Sequence, residues 1–283
     1  MNYNFLVVGG DKRINYLASK LLKDGNSVYT FANKIEGATE IDEEENIKKY
    51  KYDIIISSMP LSRDNINVYT PLSNKTVRLE ELYNISKGKI LIAGKIPKYF
   101  MQEDFKAKDK VICYDILQDE VTTILNTITT AEGAIQIAMQ ETDYTLSGKR
   151  ALVIGFGRVG KTLANMLGKL GMEVYCEARK DVDLAWIKAY GYKTVPLKEM
   201  KNNLCKMNVI FNTAPILILD KSTLILLNKK TLIIDLASAP GGVDYETAEK
   251  LGIKAILASA LPGKVAPDTC AEYLQKFVYK VIK

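Results

Sequence analysis

The chain alternates strand-length apolar runs with stretches whose apolar residues recur at helical spacing. Phe5-Leu6-Val7-Val8 leads into Gly9-Gly10, and Ile14, Leu17, Ala18, Leu21 and Leu22 follow on one helical face. Gly25 is expected to stop that helix, and Val28 to Phe31 makes the next strand. Further strands are predicted at Ile54-Ile55-Ile56, Ile90-Leu91-Ile92 and Val111-Ile112. Strands separated by helices pair in parallel through right-handed crossovers, so this half is predicted to be an open α/β sandwich.

Between Glu120 and Asp143, Val121, Ile124, Leu125, Ile128, Ile135, Ala138 and Met139 keep helical spacing, with no proline and only Gly133 interrupting. This predicts one long or kinked connecting helix. After the tight turn Leu146-Ser147-Gly148-Lys149 the alternation resumes with Ala151-Leu152-Val153-Ile154. Gly155-Phe156-Gly157-Arg158-Val159-Gly160 follows directly, and Leu163, Met166, Leu167 and Leu170 mark a helix that stops at Gly171. A GxGxxG motif is informative only between a strand and a helix, which is its setting here. Gly155 then makes the tight turn, Gly157 lets the backbone approach a pyrophosphate, and Gly160 allows close helix–strand packing. Unpaired N–H groups at the helix start favour the phosphates.

The strand Glu173 to Glu177 bears on which dinucleotide binds. An NAD site usually carries an acid at the end of this strand for the ribose 2′-hydroxyl. Counting from the glycines places Ala178 there, with Arg179 and Lys180 beyond it. A missing acid followed by two cations favours a 2′-phosphate, and hence NADP. NAD stays open, because a shift of one position would make Glu177 the ribose ligand. Three later loops are expected at the carboxyl ends of their strands: Asn212-Thr213-Ala214-Pro215, Asp235-Leu236-Ala237-Ser238 with Ala239-Pro240-Gly241-Gly242, and Leu261-Pro262-Gly263-Lys264. In a doubly wound sheet that edge binds ligands, so Asn212 to Pro215, Asp235, Ala237 and Ser238 join the cofactor candidates. Ala271 to Val281 is read as an amphipathic helix packing back on the first domain.

The domain limits follow: 1–119 with 268–283, a linker helix at 120–144, and a dinucleotide domain at 145–267. At 283 residues, 47% hydrophobic and 25% charged, the chain suits two soluble domains. Its formal net charge of +6 is scattered, and Asp42 to Glu45 beside Lys48, Lys49 and Lys51 nearly cancels, so no nucleic-acid patch is read. A modest positive balance suits anionic ligands. There is no histidine, which removes every mechanism or metal site that needs one. Cys113, Cys176, Cys205 and Cys270 form no CxxC pair and read as buried thiols of a reducing compartment. Without a signal-like start or a membrane-length apolar run, a cytoplasmic protein is expected.

Several stretches together resemble the family of the dipicolinate synthase A-subunit. They are Thr142-Asp143-Tyr144-Thr145-Leu146-Ser147-Gly148, the glycine motif, Asp235 to Gly242, and Leu261-Pro262-Gly263-Lys264-Val265-Ala266-Pro267. Gly9-Gly10-Asp11-Lys12-Arg13 and Thr130-Ala131-Glu132-Gly133 fit it too. More remotely, the layout is similar to adenosylhomocysteinase and the D-2-hydroxyacid dehydrogenases. The resemblance implies two Rossmann-like doubly wound domains joined by a long helix. It also implies NADP-dependent oxidation of dihydrodipicolinate, or its hydroxylated precursor, to pyridine-2,6-dicarboxylate in the mother cell of a sporulating bacterium. An oligomer working with a flavoprotein-like B-subunit is implied as well. A non-catalytic NADP-binding component and another nicotinamide oxidoreductase are the alternatives. For that chemistry, Glu132 is the first candidate base, with Lys264 as second base or carboxylate anchor. Arg13 is the expected cation for a substrate carboxylate, with Lys95 behind it, and Arg158 is placed near the pyrophosphate.

Overall fold

The computed structural model describes residues 2–101, 110–238 and 240–283, and the chain divides into two compact units. The first is Met1–Asn126 with Pro262–Lys283, and the second is Thr127–Leu261. The division falls within the helix read from the sequence as a separate linker, and ahead of the boundary drawn there at 268.

In the first unit, β1 (Asn4–Val8), β2 (Ser27–Phe31), β3 (Thr39–Glu40), β4 (Ile54–Ser57), β5 (Ile90–Ala93) and β6 (Ile112–Asp115) form a parallel sheet in the order β3-β2-β1-β4-β5-β6. Successive strand residues enter opposite cores. Leu6, Val8, Ile55, Leu91 and Ala93 lie in one, and Phe5, Val7, Ile54, Ile56 and Ile92 in the other. Burial on both faces explains why these strands read as continuous apolar runs. Helix α1 (Lys12–Lys23) carries Ile14, Leu17, Ala18 and Leu21 into the second of those cores. They meet Ala271, Leu274, Phe277 and Val278 of the C-terminal helix Pro267–Ile282, so the expected return of the chain end is observed. Helix α2 (Leu79–Ser86) and the short β3 have no counterpart among the elements expected from the sequence.

Helix α3 (Glu120–Gln140) is continuous through Gly133. In the second unit, β7 (Arg150–Ile154), β8 (Glu173–Ala178), β9 (Lys193–Pro196), β10 (Val209–Asn212), β11 (Leu232–Asp235) and β12 (Ala255–Leu257) pair in the order β12-β11-β10-β7-β8-β9. Numbered within each unit, the two sheets have the same order, and each reverses direction beside its first strand. Those reversals, between β1 and β4 and between β7 and β10, are where doubly wound sheets open a crevice. Helix α4 (Arg158–Lys169) leaves β7, Gly171 takes a φ of +86° at its end, and α5 (Asp181–Ala189) follows β8.

Two expectations are corrected. Leu261 to Lys264, read as a loop, lies in the one-turn helix Leu261–Val265, and Pro262 onward belongs to the first unit. Cys176 and Cys270 are buried and Cys113 is half-buried, but Cys205 is exposed on the 3-10 segment Leu197–Lys206.

Candidate functional site

The glycine motif forms the predicted strand–loop–helix. Ala151 to Ile154 are fully buried, Gly155 turns the chain at a φ of +88°, and Gly157 is the residue that caps α4. The three glycines have different reasons. A side chain on Gly155 would come within 2.6 Å of Thr213 Oγ1, and one on Gly160 within 2.1 Å of the Gly155 carbonyl oxygen. The protein itself requires both. Gly157 has an ordinary φ of −79°, and a Cβ there would meet nothing within 4 Å. Neither strain nor packing accounts for that glycine, while a ligand lying against the backbone does. Gly157 gives α4 no side-chain cap, and a helix start without one suits an anion. Phe156 is buried, Val159 half-buried, and Arg158 exposed at the first position of the helix.

At the end of β8, Ala178 is buried while Arg179 and Lys180 are exposed. No acid therefore stands at the outer end of this strand. Glu177 turns inward: it is 2% exposed, and its Oε2 accepts the Gly155 N–H at 3.1 Å. Burial raises its pKa, opposed in part by the Gly155 N–H and by Arg179. This side chain supports the loop from beneath rather than projecting from the strand end as a ribose ligand does.

The loops after β10 and β11 are tied together by Asp235, which is wholly buried. Its Oδ1 accepts from Asn212 Nδ2 at 2.9 Å and from the Ala237 N–H at 3.1 Å. Its Oδ2 accepts from the Gly242 N–H at 2.7 Å and from the Tyr245 hydroxyl at 2.8 Å. Asn212, also wholly buried, accepts from the Ala214 N–H and donates to the Ala214 carbonyl. Asp235 and Asn212 thus shape the loops, whose exposed residues are Pro215 and Ser238, while Thr213 and Ala214 are half-buried and the Thr213 hydroxyl donates to the Ile154 carbonyl at 2.9 Å. The glycine pair of the motif serves this knot. A Cβ on Gly241 would reach 2.5 Å from Asp235 Oδ2, and one on Gly242 would reach 2.3 Å from Asn212 Nδ2. Ala239 lies outside the described residues. Tyr245, on a short helix Tyr245–Lys250, carries no motif and is not among the sequence candidates; burial, then the Asp235 carboxylate, raises its hydroxyl pKa far above the usual range.

The first unit has the same strand order but a different loop. Gly9 and Gly10 follow β1, and a Cβ on Gly10 would strike Ile14 at 2.6 Å, so the protein fills that space itself. Asp11 caps α1, its carboxylate accepting the Arg13 N–H at 3.0 Å, so a fixed anion already sits at this helix start. Arg13 Nε and Nη2 also bind Asp11, the shortest contact being 2.7 Å, and Nη2 donates to the Met59 carbonyl at 3.0 Å. The fork expected to hold a substrate carboxylate is thus engaged within the unit. A Cβ on Gly263 would lie 2.9 Å from Asp11 Oδ2 and 3.3 Å from Arg13 Nε. The two ends of the chain therefore meet at this sheet edge, with Lys264 exposed beside them. Lys95, also exposed, follows β5 in a left-handed conformation, its N–H donating to Asp115 Oδ1 at 3.0 Å. Glu132 is exposed on α3.

These features define a class: a dehydrogenase-type chain of two Rossmann-like units, with a nicotinamide dinucleotide loop in the second. A profile of the D-isomer specific 2-hydroxyacid dehydrogenase NAD-binding domain matches residues 124–240, and one of the N-terminal domain of the dipicolinate synthase A-subunit matches residues 4–117. The chain is 34% identical to the dipicolinate synthase A-subunit of Bacillus subtilis (strain 168), over 98% of its own length and 94% of the relative's. The solved A-subunit structure from Bacillus halodurans is 30% identical with a TM-score of 0.85, covering 99% of this chain and 97% of that one. The solved structure from Bacillus subtilis is 32% identical with a TM-score of 0.84, covering 100% of this chain and 96% of that one. This chain belongs to the dipicolinate synthase A-subunit family. Among the described residues no helix is long and apolar enough to cross a membrane.

Proposed function

We propose that this chain oxidises dihydrodipicolinate, supplied as such or formed from its hydroxylated precursor by loss of water, to pyridine-2,6-dicarboxylate with NADP⁺, working with a B-subunit in a sporulating cell. The observation that carries the reading is the uncapped start of α4 beside Gly157, with Arg179 and Lys180 at the end of β8. The open helix start suits the pyrophosphate. The planar fork of Arg179 suits a 2′-phosphate, and the strand's own acid, Glu177, is buried and bonded to the Gly155 N–H. The second unit is then the cofactor domain and the first the substrate domain.

A bound oxidised nicotinamide supplies the hydride acceptor. Aromatising the dihydropyridine also releases one proton, and without histidine the group that receives it is a carboxylate, a lysine, a tyrosine or water. Glu132 remains the first candidate for that base. At the first unit's sheet edge Lys264 and Lys95 expose ammonium groups suited to two substrate carboxylates. The Asp11–Arg13 pair holds the surrounding backbone in place. The Asp235 knot fixes the Thr213 to Pro215 loop, which would offer a bound nicotinamide ring a preorganised surface.

The test is reduced-nicotinamide absorbance with dihydrodipicolinate, NADP⁺ and the chain, with and without its B-type partner. Hydride transfer with the chain present, and none without it, is the expected result. NADPH formation only when both proteins are present would place part of the chemistry on the partner. Binding of NADP⁺ without turnover under either condition would leave the chain a nucleotide-binding component.

A further inference from the structure

Glu177 is held in a manner that loop support alone does not require. Its Oε2 accepts one backbone N–H, while Oε1 is sealed from solvent and meets no donor. An ionised carboxylate removed from water needs several donors or a cation to offset its lost hydration. Asp235, in the same unit, shows the satisfied form, with four donors on its two oxygens.

The groups facing Glu177 are few. Across the sheet its partners are Ile154 and Val195, both apolar, and the glycine loop contributes the Gly155 N–H. Arg179, just past the end of its strand, is the one charge among the described residues with a resolved influence on it, and that influence is smaller than the effect of burial. Arg158 and Lys161 stand at the start of α4, exposed to solvent. The same loop that Glu177 holds from below is the one that, on the reading above, receives a doubly charged pyrophosphate.

We propose that Glu177 is a positioning residue of the dinucleotide site that works in its neutral form. Its carboxyl shapes the loop through Gly155, and dinucleotide binding draws one proton onto Glu177 wherever the pH has left it ionised. The reason is electrostatic: an ionised carboxylate beneath the loop and a pyrophosphate against it are like charges separated by one strand of backbone, with little water between them. The proposal rests on the dinucleotide reading of the loop, and the experiment separates the two.

Titration calorimetry of the whole chain with NAD⁺ and with NADP⁺, between about pH 5 and about pH 9, in two buffers of different ionisation enthalpy, counts the protons exchanged. NAD⁺ is the decisive probe, because a 2′-phosphate itself titrates near pH 6 and releases protons on meeting a cation. The wild-type chain should take up close to one proton per NAD⁺ on the alkaline side, its affinity falling about tenfold per pH unit there. Glu177→Gln keeps the acceptor for Gly155 and carries no charge. It should bind with no proton uptake and a flat pH profile, and at the alkaline end it should bind at least about tenfold tighter than wild type. NAD⁺ binding by wild type with no proton uptake at any pH would overturn the role of Glu177 and leave the cofactor reading intact. Equal pH slopes in wild type and Glu177→Gln would do the same. Failure of either nucleotide to bind wild type at any pH would overturn both.

Discussion

Gly157→Asp separates the two purposes a glycine can serve at the start of α4. The position has an ordinary φ and empty space around its Cβ, so the fold accepts a side chain there. An aspartate would cap the helix as Asp11 caps α1, where the side-chain oxygen accepts the Arg13 N–H. Relative to glycine such a cap is worth a few tenths to about 1 kcal/mol, with a similar amount from the helix dipole. For a chain of this size that is a rise of roughly 1–4 °C in Tm. Binding should move the other way. The carboxylate takes the N–H groups an anion would use, and losing two charge-assisted hydrogen bonds at about 1.5–3 kcal/mol each removes about 3–6 kcal/mol. That is a loss of roughly 10²- to 10⁴-fold in affinity. The assays are thermal unfolding without nucleotide and NADPH fluorescence titration, and Gly157→Ala serves as the uncharged control. A Gly157→Asp protein that binds NADPH within about twofold of wild type, an energy far below one lost hydrogen bond, would refute the loop as the dinucleotide site. A fall in Tm would show that the glycine is needed by the fold.

Three further outcomes follow from the geometry. Arg179→Ala should weaken NADP⁺ by about 1.5–3 kcal/mol and leave NAD⁺ nearly unchanged, and equal losses would remove Arg179 from the 2′-phosphate. Arg13→Ala and Asp11→Asn should each lower Tm without altering NADP⁺ affinity, with a coupling of about 0.5–3 kcal/mol in a double-mutant cycle; additive effects would show that the pair is not a structural unit. A thiol reagent at mildly alkaline pH should label Cys205 rapidly. Burial pushes the Cys113 thiol up to about 11 and the Cys176 thiol up to about 12, so both should react only on unfolding, and a fast phase that survives Cys205→Ser would contradict this.

The inner strands of both sheets were legible because they are buried on two faces, which writes them as unbroken apolar runs such as Ile54-Ile55-Ile56 and Leu152-Val153-Ile154. β3 and β9 were not, because Thr39, Glu40, Lys193 and Thr194 are exposed and carry no apolar signal. The glycine loop was legible because its residue types are dictated by backbone approach, which sequence records directly. Side-chain direction is another matter. Arg13 reads as a free cation, yet the Asp two residues before it already supplies a partner within reach of its fork. Glu177 reads as a possible ribose ligand, and one step along a strand reverses the face a side chain takes. Asn212 and Asp235 read as ligand-facing, but the Gly241-Gly242 pair marks a crowded polar knot rather than a mobile turn.

The two units pose the same topological opportunity and answer it in opposite ways. Each sheet reverses beside its first strand, and each first strand runs through a glycine turn into a helix. Topology therefore cannot say which unit takes a dinucleotide. Local chemistry can. In the first unit Asp11 places a fixed negative charge at the helix start and Arg13 neutralises it, while Ile14 fills the space beside Gly10. An arriving phosphate would have to displace a carboxylate already bonded at short range. In the second unit the corresponding cap is a glycine with open space around it, and the carboxylate nearest the loop, Glu177, lies beneath the backbone rather than at the helix start. A single residue type at the cap thus commits one unit to internal closure and leaves the other's helix start without a side-chain cap. The first unit's edge then offers the exposed ammonium groups of Lys95 and Lys264, which suit small carboxylates rather than a pyrophosphate cradled on backbone N–H groups.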